Sequence, residues 1–568
     1  MTDKSLLSEV EHVKDASNYL RGTLRQSVLN PLTGALYPDD THLIKFHGSY
    51  QQTDRDLESE RKRQKLEPLY SFMIRVRVPG GVASPEQWLR LDELADTYAN
   101  GTLKLTTRQT FQLHGVLKRS LPATIQGFNQ VLLDSIAGCG DVNRNVMCGA
   151  NPHESQLHAQ VHEVSKQISA HLTPQTTAYW ELWLNGEQHL TTEPAEDAEP
   201  IYGKTYLPRK FKIALAVPPY NDTDVFANDI GLIAVAQDGQ LAGFNVAVGG
   251  GMGMTFGMSD TYPRLADLIG FVPAERVVEV CEQVVTIQRD WGNRQNRKFS
   301  RLKYTIDRVG LPAFVAELHR RLGYELEAAR PYRFDTSSDA FGWVQGPDGK
   351  FHLGLFVEGG RVRDTDTVQL KTALREVAGF HTGEFRLTGN QNLVIANISP
   401  EHRGQVAEVL TKYGVLGPTL ERTALRLGAL ACVALNTCSL AFAEAERYLP
   451  RLLDRLDAVI RAHGLADAGI LLRMTGCPNG CARPYLGEIG LVGKAVGRYN
   501  LYLGASHSGD RLNKLYREML DEEGIVAALT PLLASYAAQR RPAERFGDFV
   551  IRQGYVQATT HGQNFHAS

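Results

Sequence analysis

Several stretches of the chain alternate between apolar and polar residues, which is the pattern of a β-strand with one buried face. In FMIRVRVPGG the apolar positions alternate with Arg75 and Arg77, and in LPRKFKIALAV they alternate with Lys210 and Lys212. A third stretch, KLTTRQTFQLHG, puts one set of polar residues on a single predicted strand face: Lys104, Thr106, Arg108, Thr110, Gln112 and His114. These patterns predict strands that carry positive charge on one side.

A different pattern occupies residues 439–460, SLAFAEAERYLPRLLDRLDAVI, where apolar residues recur every three or four positions. This spacing predicts an amphipathic helix. Cys432 and Cys438 immediately precede it and are expected in the loop that leads into it, where backbone N–H groups point at an anion.

Four segments of the chain recur in the same order, which indicates an internal duplication. LKLTTRQTFQLHGV resembles FRLTGNQNLVIANI, NVMCGANPHES lies over LACVALNTCS, ANDIGLIA resembles LGEIGLVG, and FNVAVGGGMG resembles YNLYLGASHSG. The alignment places Cys148 on Cys432 and Glu154 on Cys438. We therefore predict an α+β protein with a pseudo-twofold core.

The two copies differ in their chemistry. The second copy carries Cys432, Cys438, Cys477 and Cys481, whereas Pro218 and Asp222 of the first copy stand at the positions of the last two. The first copy instead presents positive charge, at Arg108 where the second copy has Asn390 and at His114 where it has Ala396. We expect one half to bind metal and the other to face an anion.

The four cysteines allow three interpretations: free thiols, a structural zinc ion, or an iron–sulfur cluster. Zinc knuckles mostly use a gap of two residues, which the wider gaps in LACVALNTCSLA and TGCPNGCARP fit poorly. A cluster is larger than a single ion and accepts wider spacing, and its iron prefers thiolate. The spacing favours the cluster and leaves the other two open.

Overall composition excludes several classes of protein. The chain has 568 residues, 43% of them hydrophobic and 22% charged, and a net charge of −2. This balance gives no global field for nucleic acid or membranes. The polar N-terminus lacks the features of a signal peptide, and we expect a cytoplasmic protein with reduced cysteines. GGGMG is no phosphate loop, and we find no sign of a nucleotide site for a nicotinamide or flavin cofactor.

Taken together, the motifs resemble the siroheme- and [4Fe–4S]-dependent nitrite and sulfite reductase family. The resemblance rests on the paired cysteine motifs and on HGSYQQTDRD, RVRVPGG, LTTRQTFQLHG, NRNVMC, TYLPRKFK, QRDWGNR and GRYNLYLGA, and it covers essentially the whole chain. The N-terminal NYLRGTL and FHGSYQQTDRDLESERKRQKLEP favour the NADPH-dependent sulfite branch.

The resemblance implies a role for each motif residue. Cys432, Cys438, Cys477 and Cys481 would bind the cluster, and Cys481 would also link it to the siroheme iron. The substrate anion would be surrounded by Arg77, Arg144, Lys210 and Lys212. Siroheme carboxylates would be contacted by Lys104, Arg108 and His114.

The family fold implies five segments: 1–62, an N-terminal extension outside the repeat that helps to dock a partner; 63–145 and 331–425, two ferredoxin-like half repeats; 146–330, a siroheme and substrate lobe; and 426–568, a cluster and siroheme lobe. The activity implied is six-electron reduction of sulfite to sulfide. Electrons would come from a flavoprotein subunit that carries FAD and FMN and oxidises NADPH. The alternatives are a siroheme nitrite reductase, a zinc-stabilised binding protein and an inactive scaffold subunit.

Overall fold

A computed structural model describes residues 4–150, 156–176, 183–184, 187–188 and 199–567. Its strands are β1 (Ser49–Thr53), β2 (Tyr70–Val76), β3 (Val82–Ala83), β4 (Leu103–Leu105), β5 (Phe111–Val116), β6 (Trp183–Leu184), β7 (Glu187–Gln188), β8 (Ile213–Ala216), β9 (Ile230–Gln237), β10 (Gln240–Val248), β11 (Asp267–Pro273), β12 (Gly342–Gln345), β13 (Phe351–Leu355), β14 (Arg361–Val362), β15 (Glu384–Leu387), β16 (Leu393–Ile398), β17 (Leu430–Ala431), β18 (Leu472–Thr475), β19 (Ile489–Ala495), β20 (Arg498–Leu503) and β21 (Lys514–Leu520).

The α-helices are α1 (Glu9–Ala16), α2 (Leu24–Leu29), α3 (Asp40–Leu43), α4 (Glu58–Arg63), α5 (Pro85–Tyr98), α6 (Leu121–Asn129), α7 (Gln156–His171), α8 (Val277–Trp291), α9 (Leu302–Val309), α10 (Leu311–Leu322), α11 (Leu370–Ala378), α12 (Arg403–Lys412), α13 (Leu416–Glu421), α14 (Ala424–Leu427), α15 (Leu449–Ala462), α16 (Glu522–Gln539) and α17 (Phe546–Arg552). Across the described ranges, no helix is both long enough and apolar enough to cross a membrane.

The duplication is visible in two five-stranded sheets of the same topology, ordered β1-β2-β5-β4-β14 and β12-β13-β16-β15-β3. Each sheet borrows its last strand from the other half of the chain, because β14 belongs to the second copy and β3 to the first. Their helices share one core, in which Trp88 of α5 stacks on Phe385 of β15 with ring centroids 4.7 Å apart. The two half repeats therefore form one pseudosymmetric domain, as expected.

The segment 1–62 is not an extension outside the repeat. Its strand β1 pairs with β2 and occupies the place that β12 holds in the second sheet. Helix α1 is also anchored, because the buried Lys14 donates to the carbonyl of Leu207, 2.9 Å away. We find that the first half repeat begins at β1. Helix α4, at the end of this segment, buries none of its residues.

Two further sheets form the lobes, ordered β11-β10-β9-β8 and β17-β18-β19-β20-β21. In each, a parallel pair (β8 with β9, β18 with β19) is followed by antiparallel strands. Each lobe has its own apolar core. A smaller cluster joins them, in which Met252 and Met254 of the GGGMGM loop pack with Tyr485 and Leu486.

Two local predictions were wrong. Residues 106–110 form a hairpin turn between β4 and β5 and do not continue a strand, because Gln109 adopts a positive φ of 52° that ends the alternation. The helix predicted from residue 439 begins only at Leu449, with Pro450 in its first turn. The ten residues before it remain a loop, in which Phe442 and Ala443 donate to the carbonyl of Gly476.

Hydrogen bonds of two equivalent glutamines shift the internal alignment by one residue at Cys432. The side-chain amide of Gln109 accepts a hydrogen bond from the backbone N–H of Cys148, and that of Gln391 accepts one from Ala431. Cys148 is thus equivalent to Ala431, and Cys432 lies one residue further along. Glu154, which we aligned with the second cysteine, lies outside the described residues.

Candidate metal and anion site

The four cysteines lie on two loops of the second lobe. Residues 432–448, the first cysteine loop, follow β17 and carry Cys432 and Cys438. Residues 476–488, the second cysteine loop, follow β18 and carry Cys477 and Cys481. Because β17 and β18 are parallel neighbours, both loops leave the same edge of the sheet.

The four cysteine side chains lie close enough for the charge of one to affect the pKa of the others. Burial raises the pKa of Cys432, Cys438 and Cys477, and the nearby charge of Cys481 raises each of them further. For Cys477 the pKa reaches about 12. Thiols in this setting stay protonated at neutral pH unless a cationic centre compensates their charge, which is the property of a metal-binding set.

Several observations test whether these residues fit an iron–sulfur cluster. No group of three or more His, Cys, Asp or Glu side chains in the described ranges is arranged to hold a single metal ion. The backbone N–H of Gly476 points at Cys432 Sγ from 3.4 Å, and the Asn479 amide points at Cys477 Sγ from 3.5 Å. Buried hydroxyls of Thr437 and Thr475 have no hydrogen-bond partner in this part of the structure. Such donors suit a sulfide-containing cluster.

Contacts from the N-terminal segment hold the first cysteine loop in place. Arg55 donates through Nη1 to the carbonyl oxygens of Cys438, at 3.2 Å, and Ala441, at 2.8 Å. Asp56, its neighbour, forms an ion pair with Arg447 at 2.6 Å. The sequence motif QQTDRD contains this anchor, but nothing in its spacing reveals that it contacts a loop almost four hundred residues away.

The second cysteine loop is tied to both hairpin turns of the pseudosymmetric domain. Thr107 donates to the carbonyl of Cys481 at 2.9 Å. Arg483 donates to the carbonyl oxygens of Thr107, at 2.9 Å, and Gly389, at 2.7 Å, and pairs with Asp224. These contacts fix Cys481, the only exposed thiol of the four, at the junction of the lobes.

Lys210 and Lys212 of the first lobe lie beside that thiol. Burial lowers the pKa of Lys210 to about 7, with a further contribution from Arg209, while the charge of Cys481 opposes the shift. Burial, with the charge of Lys210 next, also lowers the pKa of Lys212 well below its usual range. Within the described ranges neither ammonium forms an ion pair or donates a hydrogen bond, so both are available to an anion.

Two arginines of the first copy complete this cationic surface, and one of them is not the residue named from the sequence. Arg144 donates to the carbonyls of Gly140 and Gly138, and Arg75 donates to the same Gly138 carbonyl at 3.2 Å. Arg77, which directly follows β2, pairs instead with Asp134 at 3.2 Å and contacts Thr173. The geometry favours Arg75 over Arg77 as the fourth cation of the site.

The predicted siroheme contacts separate into two groups. Lys104 pairs with Glu446 at 2.8 Å, and Glu446 in turn pairs with Arg361 at 2.7 Å, while Arg361 also contacts His114 at 3.2 Å. Burial acts to raise the pKa of Glu446, but the charges of Lys104 and Arg361 outweigh it and hold the pKa at about 2. Burial lowers the pKa of His114 to about 3, so its ring is neutral.

Arg108 lies elsewhere, near Lys212. Its guanidinium donates to the carbonyl of Asn145 at 2.9 Å, to Asn228 at 2.5 Å and to the carbonyl of Ile213 at 2.5 Å. Burial lowers its pKa to about 9. With its donors engaged in this way, Arg108 contributes positive charge and holds the loop beside the site.

Comparison with known proteins gives a consistent identification. A family profile described as "Nitrite and sulphite reductase 4Fe-4S domain" matches residues 163–326, and one described as "Nitrite/Sulfite reductase ferredoxin-like half domain" matches residues 64–131 and 344–413. The first match covers the lobe without the four cysteines. It therefore reflects the shared lobe fold and is no separate evidence for the thiol site.

Curated relatives match over nearly the whole chain. "Sulfite reductase [NADPH] hemoprotein beta-component" of Geobacillus kaustophilus is 59% identical, over 98% of each chain, and the protein of the same name from Staphylococcus haemolyticus is 55% identical, over 99% of this chain and 97% of the relative.

Among solved structures, "Structure of Mycobacterium tuberculosis NirA protein" matches with a TM-score of 0.77 and 24% identity, over 97% of each chain. That likeness confirms the predicted α+β duplicated fold. The relatives confirm the predicted resemblance: this chain belongs to the nitrite and sulphite reductase family.

Proposed function

We propose that the chain is the hemoprotein component of an NADPH-dependent sulfite reductase, an oxidoreductase of sulfur assimilation with siroheme and a [4Fe–4S] cluster as cofactors. The observation that carries the proposal is the meeting of Cys481 from the second lobe with Lys210 and Lys212 from the first. A metal ligand beside unpaired ammonium groups suits a reductase of a small oxyanion. The curated relatives bear the name of this activity.

The residues present fit both cofactors. Cys432, Cys438, Cys477 and Cys481 would hold the cluster, and we assign Cys481 as its link to siroheme, because this thiol is exposed and lies beside Lys210 and Lys212 of the first lobe. Siroheme, when bound, supplies an iron at which sulfite sulfur is reduced. Its many carboxylates need cations, and we assign Lys104, Arg108 and His114 to its surroundings, with Arg108 acting mainly as a fixed charge.

The cations of the first lobe would bind the substrate and supply protons. We assign Arg75, Arg144, Lys210 and Lys212 to draw in and orient the substrate anion. Six-electron reduction to sulfide consumes protons as the sulfur–oxygen bonds break and water leaves. The Lys210 ammonium, with a pKa of about 7, can release a proton near neutral pH and is suited to deliver it.

The electrons must come from another protein. We assign this role to a flavoprotein subunit that carries FAD and FMN and oxidises NADPH, and we place the complex in the cytoplasm. Because β1 and Arg55 belong to the fold and to the cysteine site, deletion of residues 1–62 would disrupt both and cannot by itself test partner docking.

Expression in cells that make siroheme tests the proposal. The purified chain should show heme absorption, contain iron and acid-labile sulfide, and reduce sulfite with a dithionite-reduced dye. Cys481→Ser should lose heme absorption and activity. Cys281→Ala, a thiol buried in the core of the other lobe, is the matched control and should keep both. A colourless wild-type protein would contradict the assignment.

A siroheme nitrite reductase is the second candidate, because cations select for charge more strongly than for the identity of a small oxyanion. A comparison of kcat/KM for sulfite and nitrite separates the two. We expect the larger value for sulfite.

A further inference from the structure

The sequence carries no nucleotide-binding fingerprint, so the proposed reductase needs an electron donor that docks near the cluster. We propose that the donor's flavin-carrying domain docks on an exposed apolar surface beside the first cysteine loop. This surface, the entry patch, consists of Phe256, Leu440, Phe442, Lys494 and Val496. The inference rests on the proposed function.

The entry patch is unusually apolar for exposed surface. Its exposed fractions are 60% for Leu440, 84% for Val496, 47% for Phe256 and 37% for Phe442. Single exposed apolar residues need no explanation, but a contiguous group marks an interaction site.

Side-chain contacts join three members of the group, Phe256, Phe442 and Lys494. The rings of Phe256 and Phe442 lie with centroids 4.6 Å apart, although they come from opposite lobes. The Lys494 ammonium lies over the Phe256 ring, 4.6 Å from its centroid. Leu440 lies two residues before Phe442 along the chain, and Val496 lies two residues after Lys494.

Two residues of the entry patch belong to the first cysteine loop. Leu440 and Phe442 follow Cys438 on the first cysteine loop, and the Phe442 N–H donates to the carbonyl of Gly476, which precedes Cys477, at 2.9 Å. Strand β19 also approaches closely, since a Cβ added at Gly493 would lie 2.6 Å from that same carbonyl. An electron that arrives at Leu440 or Phe442 therefore enters the loop that carries Cys438.

The charges around the entry patch indicate which occupant it suits. Lys494 and Arg55 have no carboxylate partner among the residues that the structure describes, and Arg55 is bound to the carbonyls of Cys438 and Ala441. Helix α4, which buries none of its residues, begins shortly after Arg55. Unpaired cations around apolar rings complement an acidic domain that presents the apolar edge of a flavin ring beside its phosphate.

In each encounter one electron passes from the reduced flavin to the cluster. The flavin is oxidised by one electron and the cluster is reduced by one, and no bond forms between the two proteins. NADPH oxidised on the donor restores the flavin. The patch therefore has to release the donor repeatedly, which suits a modest surface with few charges.

The test measures binding and electron delivery separately. Lys494→Glu reverses the charge, and Val496→Glu places a carboxylate in the apolar surface, while neither residue contacts a cysteine. The probe is the FMN-carrying domain of the flavoprotein, with its Kd measured by calorimetry and its NADPH-driven turnover by sulfide release. Leu32→Glu, at a residue that is 90% exposed on the N-terminal segment, is the matched control.

We expect each patch variant to raise the Kd and lower partner-driven kcat/KM by about tenfold, equivalent to about 1.4 kcal/mol. The heme spectrum, iron content and dye-driven rate should stay at the wild-type level, and Leu32→Glu should match wild type throughout. Wild-type affinity in both patch variants would overturn the docking surface. A wild-type enzyme that fails to reduce sulfite with the dye would instead overturn the proposed function, whatever the binding result.

Discussion

Glu446 offers a sharp test of how the cysteine site is held. Its carboxylate is 12% exposed and lies between Lys104, 2% exposed, and Arg361, 12% exposed. Its backbone N–H donates to the carbonyl of Cys432 at 3.1 Å. Glu446→Gln keeps the size of the side chain and removes its charge, so two buried cations lose their counter-ion.

The expected loss is large because the unpaired charges stay buried. Breaking a buried ion pair by removing one partner costs about 3–5 kcal/mol, most of it from the charge left behind. The pKa of Glu446 is held at about 2, so its stabilising effect is fully present above the usual Glu pKa and is lost only as the pH falls towards about 2. The destabilisation should therefore be constant between about pH 6 and 8.

The assay is urea denaturation of the chain, followed by fluorescence and by circular dichroism because a chain with several cores can unfold in stages. The double variant Glu446→Gln/Lys104→Met removes one of the stranded cations and should recover about half of the loss. Iron content should fall in Glu446→Gln, since the first cysteine loop loses its anchor. A loss below about 1 kcal/mol, or a double variant no more stable than the single one, would refute this reasoning.

Three further changes separate residues that the sequence treats alike. Lys210→Met should lower dye-driven turnover about 100-fold with little effect on sulfite affinity and no loss of stability, because its ammonium is buried without a counter-ion; unchanged kcat would exclude proton delivery. Arg75→Ala should raise the KM for sulfite about tenfold, whereas Arg77→Ala should change thermal stability and leave KM alone, and the reverse pattern in steady-state kinetics would restore the sequence-based choice. Arg55→Ala should lower the iron and sulfide content because the first cysteine loop loses two carbonyl contacts, whereas Arg63→Ala, at an exposed ion pair, should leave both counts unchanged.

The parts of the site that could be predicted from sequence are those whose chemistry is local. Paired cysteines, a Gly-rich turn and alternating charges lie within a few residues of one another, and so the thiols, Lys210, Lys212 and Arg144 could be named directly. The duplication could be recognised because equivalent strands must bury equivalent side chains.

The choice between Arg75 and Arg77 could not be made in this way. Both residues follow the same alternation and both face away from the core of β2 towards polar groups. The two arginines differ in their partners. Arg77 forms an ion pair with Asp134, whereas Arg75 donates to the carbonyl of Gly138, which also accepts from Arg144. Only the fold brings those partners to the strand.

The contacts of Arg55 and the ion pairs of Glu446 could not be predicted from the sequence, for a related reason. Arg55 belongs to a segment that lies outside the obvious sequence repeat, although its neighbour β1 completes the first sheet. Glu446 falls in a stretch whose periodicity predicts a helix, but the helix begins only at Leu449, with Pro450 in its first turn, and the contact with Gly476 holds the residues before it as a loop. Tertiary contacts override local preference at these positions.

The pseudo-twofold symmetry explains why two nearly equivalent lobes can perform different work. Asp224 and Arg483 occupy equivalent positions, each with a left-handed φ, of 47° and 51°, and they pair with each other across the junction. An ancestor with the same residue in both copies would have placed two like charges together, which is unfavourable in a buried site. Once the residues differ in sign, exchange of the lobes is no longer neutral, because each lobe then contributes a different charge to the buried contact. Asymmetry between the copies is thus built into the contact that holds the halves together, and Cys481 lies only two residues before Arg483 at the same junction.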